Sequence, residues 1–131
     1  MRFAKGLFLL AGVYGLLVMT PLYFLEARIG RETPPPITHP EYFYGFVGVT
    51  LAWQFLFLIV ASDPARYRLM IIPSILAKVS FGSALLVLFS QRRIPASVLG
   101  IGSLDWVFAI LFAAAFSATR PGAAVISEQN R

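Results

Sequence analysis

The chain contains no cysteine, which excludes disulfides, thiol nucleophiles and cysteine-ligated metals. Its one histidine, His39, provides no histidine pair for haem and no serine–histidine couple. A metal centre built from protein ligands is therefore not expected. No glycine-rich nucleotide loop occurs. Charge is also scarce: Asp, Glu, Lys and Arg make up 13% of the 131 residues, against roughly a quarter in an ordinary soluble domain. Acids are the rarer sign, 6 against 11 bases, for a net charge of +5. The sequence pI is near 10.1, yet the bases do not form one face. They sit in twos at the ends of apolar runs (Arg2 with Lys5, Arg66 with Arg68, Arg92 with Arg93), where they anchor helices against headgroups. Nucleic-acid binding needs a clustered basic footprint, and none is present.

Apolar sequence fills the space that charge leaves. Hydrophobic residues are 58% of the chain, and the mean hydropathy is +0.76. Four apolar stretches cover about residues 7–25, 43–61, 69–90 and 95–118. Each is near the ~20 residues that a helix needs to cross a hydrocarbon core. The polar remainder is too short for a separate domain. The expected fold is all-α: a polytopic membrane protein with a four-transmembrane-helix antiparallel bundle, residues 1–131 forming a single membrane domain. The first stretch has a signal-peptide-like charged start. It ends, however, in Tyr23-Phe24-Leu25-Glu26-Ala27, which is not a small-x-small cleavage site, and is read as a retained helix.

The one long linker, about residues 26–41, carries Pro34-Pro35-Pro36, which favours a stiff, extended, solvated strap. His39-Pro40-Glu41 opens the second span with proline at the first helical position and an acid in the first turn. Tyr23, Phe24, Tyr42, Phe43 and Tyr44 form an aromatic belt at that interface. Asp63-Pro64 restarts the chain as an N-cap with a first-turn proline. Pro73 is expected to kink the third span. The turn Gln91–Pro95 makes the last two spans antiparallel neighbours, and a frayed tail is expected over 120–131. The side bearing both termini holds six Lys or Arg and the other side four. The positive-inside rule then places the termini in the cytoplasm of a multi-pass cell-membrane protein.

Two charged residues fall deep inside the apolar runs: Lys78 and Asp105. Lys78 lies 14 residues before Arg92 and Asp105 lies 12 after Arg93, which gives depths of roughly 21 and 18 Å at 1.5 Å per residue. Their levels match near the midplane. A charge there is a functional-site candidate, and pairing is the least costly way to keep two. Ser74, Lys78 and Gly82 share one stripe, and Gly102, Asp105, Ala109 and Ala113 another. Such small residues let backbones approach in lipid. Gly45, Gly48 and Ala52 offer a further seam on the second span. The pair reads either as a fixed bridge that specifies helix pairing or as a binding or proton-linked centre.

The other candidates carry the same duality. Gln54 reads as an interhelical hydrogen bond or a binding group. Trp53 and Trp106 lie mid-span, away from the interfaces that tryptophan prefers, as core packing or as walls of an apolar ligand pocket. His39 and Glu41 read as capping and solvation residues, or as a pH-sensitive or headgroup-binding pair. A single intramembrane carboxylate cannot perform two-carboxylate acid–base chemistry, and its proximity keeps Lys78 charged, against a nucleophilic role. No enzyme and no cofactor are expected.

The glycine-bearing first span, the opening Tyr42-Phe43-Tyr44-Gly45-Phe46, the turn Asp63-Pro64-Ala65-Arg66-Tyr67-Arg68 and the stretch around Lys78 and Gly82 resemble the small four-helix bacterial membrane proteins called DoxX-like. The resemblance covers most of the chain and implies redox-linked or quinone-adjacent accessory roles, without a catalytic residue to carry over. The chain is also similar in size to small multidrug transporters. Those rely on a carboxylate in the first helix, and no acid precedes Glu26 here. The expected function is a non-enzymatic accessory bundle organised around Lys78 and Asp105. Its partners are the lipid bilayer and either another membrane protein or a second copy. The alternatives are a proton-linked small-solute transporter and a lipid- or quinone-binding protein with its site between Trp53 and Trp106.

Overall fold

A computed structural model describes residues 1–121; the tail from residue 122 onward, expected to fray, lies outside the described residues. Helix α1 (Arg2–Met19) runs into a 3-10 segment at Thr20–Phe24, α2 (Glu26–Glu32) is short, and α3 (Pro40–Ser62), α4 (Ile71–Ser90) and α5 (Ala96–Ala118) are long. Four segments are long and apolar enough to span a membrane: Arg2–Phe24, Pro40–Ser62, Arg68–Ser90 and Ala96–Ala118. Leu17, Ile101 and Ile110 project from them more than two-thirds exposed. Such a surface suits lipid and not water. The chain is a small integral membrane protein with an all-helical four-span fold.

Helix ends follow local chemistry, with three departures from the sequence reading. The strap is not extended throughout, because Glu26–Glu32 is helical. Arg28 Nε donates to Glu32 Oε1 at 2.8 Å in i,i+4 register, an arrangement that supports a helical turn. Pro73 does not kink α4 from within. It lies in the first turn, where its missing N–H has no intrahelical partner to lose, after a 3-10 turn at Arg68–Met70. Asp63 caps the Pro64–Tyr67 turn instead of α4 itself, accepting from the Arg66 N–H at 3.1 Å. His39 and Pro40 stand at the N-cap and first position of α3 as expected. At the far end of α4, Arg92 takes a left-handed φ of 56° while the Arg93 N–H donates to Leu88 O at 2.9 Å. That reversal resembles a helix C-cap usually built on glycine.

The four spans form two hairpins, α1 with α3 and α4 with α5. Within each hairpin, glycine faces a large side chain on the partner. The Gln54 amide fills the notch at Gly15, Leu85 fills that at Gly102, and the Trp106 indole lies on Gly82. Two expected stripes shift. Gly45 has no neighbour and Ala52 is exposed, so the second-span seam is confined to Gly48 against the Tyr23 hydroxyl. On α5 the buried line runs Gly102, Ala109, Phe112 and Ala115 and leaves Ala113 outside, because a 3.6-residue repeat drifts off a strict four-residue one.

The hairpins are joined at the end that carries the N-terminus. Phe8 stacks on Phe112 with ring centroids 4.4 Å apart, and Phe57 meets Phe112 edge-on at 5.2 Å. All three rings are completely buried, with Ile71 of α4 beside them. Aromatic pairs in this geometry add to the dispersion that holds helices together in lipid. Arg68 closes the same end: its Nε donates to Phe116 O at 3.2 Å and its guanidinium carbon lies 3.6 Å over the Phe116 ring. Farther from that end the hairpins meet again where Phe46 of α3 stacks on Phe81 of α4, ring centroids 5.8 Å apart.

The α4–α5 seam is directly testable. A Cβ at Gly82 would come within 2.5 Å of Trp106 Nε1, so Gly82→Val is expected to cost about 1–3 kcal/mol through overpacking. Thermal unfolding in detergent should show a lower midpoint with an altered tryptophan emission. An unchanged midpoint would mean that the two helices do not approach at this position.

Candidate binding site between the helical hairpins

Beside the aromatic cluster, the two hairpins enclose a cavity of about 420 Å³ lined by all four spans. Its size is within the range of small-molecule sites. Lys78 and Asp105 sit in its wall. Lys78 Nζ donates to Asp105 Oδ1 at 2.7 Å, and the side chains are 19% and 18% exposed. The pairing follows from the antiparallel α4–α5 hairpin, whose tight turn fixes the two residues at one depth. The ammonium lies 5.5 Å from the Phe108 ring centroid and 5.9 Å from that of Phe57, within reach of cation–π attraction. The charge is therefore held by one carboxylate and two ring faces, and still borders open space.

Gln54 joins this region from α3. It is 3% exposed, lines the cavity, and its Nε2 donates to Thr50 O at 2.8 Å. Its hydrogen bond is therefore within its own helix, not between helices as expected: the notch at Gly15 receives the amide by shape and has no side chain to bond it. Trp53 also lines the cavity, with its ring centroid 6.4 Å from that of Phe57. Trp106 does not. Its indole is turned toward α4 at Gly82, and its Nε1 is buried without a hydrogen-bond partner. The two tryptophans therefore do not face each other across a common space. His39 and Glu41 are remote from the cavity, at the strap end. His39 Nδ1 and Glu41 Oε1 are 3.2 Å apart and both side chains are about two-thirds exposed.

Several lining residues carry no signal of their own in the sequence. Phe46 and Phe81 stack across α3 and α4 at 5.8 Å, and Tyr14 approaches Phe108 across α1 and α5 at 6.1 Å. An aromatic ring in a lipid-spanning run looks the same whether it faces lipid or a cavity. Only Tyr14, with a hydroxyl in mid-span, could have been singled out. The polar lining, Tyr14, Thr50, Gln54, Lys78 and Asp105, comes from mid-span positions, and the lining toward the strap is apolar: Val18 and Met19 from α1, Val98 and Ile101 from α5.

Among the described residues, no three His, Asp or Glu side chains come together as metal ligands. Comparison with known protein families, curated proteins and solved structures gives no match to the chain.

Breaking the ion pair from one side should differ sharply from removing it. Lys78→Met leaves a carboxylate without its partner and is expected to cost about 3 kcal/mol, the lower end for a broken buried pair because the two side chains keep some exposure to the cavity. Lys78→Met with Asp105→Leu should recover most of that loss. Unfolding midpoints of the two single variants and the double variant in detergent provide the check. Additive losses would mean that the two side chains do not interact.

Proposed function

We propose that this protein is a non-enzymatic, multi-pass protein of the cell membrane that holds a lipophilic small molecule between its two helical hairpins. The observation that carries the proposal is the position of the Lys78–Asp105 pair in the wall of an open cavity. A bridge serving only to pair helices is best sealed by apolar side chains, since every opening exposes it to competing partners. Here the pair joins Tyr14, Thr50 and Gln54 as the polar part of a lining otherwise made of Trp53, Phe57, Phe108 and other apolar groups. That pattern of a mostly apolar pocket with a few convergent polar groups is the usual form of a small-molecule site.

The apolar lining toward the strap favours a lipophile over a water-soluble solute, which would need polar groups around it. For that reason the transporter reading ranks below ligand binding. An accessory role toward another membrane protein is compatible with the same site, the partner receiving or delivering the lipophile. The DoxX-like layout noted in the sequence points in the same direction, toward a lipophile such as a quinone. The Lys and Arg distribution supports cytoplasmic termini.

Organic extraction of the purified protein followed by mass spectrometry tests the proposal. A lipophile is expected at about one per chain. Filling the cavity with Ala77→Phe should reduce it at least about tenfold, a loss of roughly 1.4 kcal/mol or more in binding, with helicity unchanged by circular dichroism. No enrichment over an unrelated membrane protein, or equal enrichment in the filled variant, would overturn it.

A further inference from the structure

On the reading that the cavity binds a lipophile, we infer that its ligand has an uncharged head group bearing a carbonyl or hydroxyl oxygen, seated against Lys78 and Asp105. The first reason is charge. The pair contributes one positive and one negative group 2.7 Å apart, so an anionic head drawn to Lys78 meets Asp105, and a cationic head drawn to Asp105 meets Lys78. Two unit charges about 4 Å apart interact by about 4 kcal/mol at an effective dielectric of 20. The attractive and repulsive contributions are thus of similar size and largely cancel. Desolvation then decides the matter, because bringing an ion from the interface to the bilayer centre costs several kcal/mol. No net countercharge in the cavity offsets that cost.

Hydrogen-bonding capacity gives the second reason. An ammonium has three N–H donors, and Lys78 is shown using one, on Asp105 Oδ1. A ligand oxygen can accept another. Asp105 keeps its second carboxylate oxygen, which can accept a hydroxyl proton. The site therefore offers donor and acceptor together without net charge, the complement of a neutral oxygen function. The apolar lining at Val18, Val98 and Ile101 suits the hydrocarbon part of the same molecule.

Photo-crosslinking in phosphatidylcholine nanodiscs tests this with three twelve-carbon probes. They share one mid-chain diazirine and end in a primary alcohol, a carboxylate or a trimethylammonium. Adducts are mapped by tandem mass spectrometry to cavity positions on α3 and α5. The alcohol is expected to label those positions at least about tenfold more than either charged probe, equivalent to roughly 1.4 kcal/mol, and unlabelled dodecanol should compete. The alcohol's advantage should disappear in Lys78→Met with Asp105→Leu. Labelling by the carboxylate or the ammonium equal to that by the alcohol would overturn the head-group assignment and leave lipophile binding intact. Labelling of outer, lipid-facing positions alone by all three would overturn the binding proposal itself.

Discussion

An ammonium and a carboxylate near the middle of a bilayer persist as ions chiefly by being each other's partner, and the packing of α4 on α5 is arranged around that need. The tight turn before α5 sets the depth at which Lys78 and Asp105 meet. The glycines above them, Gly82 and Gly102, bring the helices close enough for a 2.7 Å contact by accepting Trp106 and Leu85. Larger residues at either glycine would separate the backbones and lengthen the bridge. In lipid, where no hydrophobic force drives helices together, this close packing and the polar contact it permits are what hold the hairpin.

The two ends of the bundle do different work. Near the N-terminus, Phe8, Phe57 and Phe112 interlock and Arg68 ties the start of α4 to the last turns of α5. At the strap end, Tyr23 stacks on Tyr44 and the Tyr44 hydroxyl donates to Glu26 Oε2 at 2.6 Å, which holds the first hairpin together without reaching the second. The hairpins are thus fastened by the aromatic cluster at one end and touch again through Phe46 and Phe81. The ion pair lies between these contacts, so the geometry that stabilises the bundle also places the pair in the wall of a mostly apolar cavity.

The fold was legible in the sequence because hydrocarbon imposes length and composition on each span. The four apolar runs, the proline at the start of α3 and the meeting of Lys78 with Asp105 follow from spacing alone. Other features depended on which way a side chain turns. Trp53 faces the cavity while Trp106 packs on Gly82, and a uniformly apolar helix carries no period that separates the two cases. Gln54 looked interhelical and bonds its own helix at Thr50, because the facing residue is Gly15. The helical turn at Glu26–Glu32 was masked by the prolines that follow it. The cavity was not legible at all, since it arises from how all four spans pack together and not from any one segment.

The composition makes the central contact unusually accessible to measurement. The chain has two lysines, Lys5 and Lys78, and two aspartates, Asp63 and Asp105. Only one lysine–aspartate contact is therefore expected. Solid-state NMR with ¹⁵N-lysine and ¹³C-aspartate in lipid bilayers should show a single strong dipolar coupling between a side-chain ammonium and a carboxylate carbon, consistent with a 2.7 Å N–O contact, and lost in Asp105→Asn. The absence of any such coupling in the intact protein would contradict the ion pair and, with it, the polar floor of the cavity.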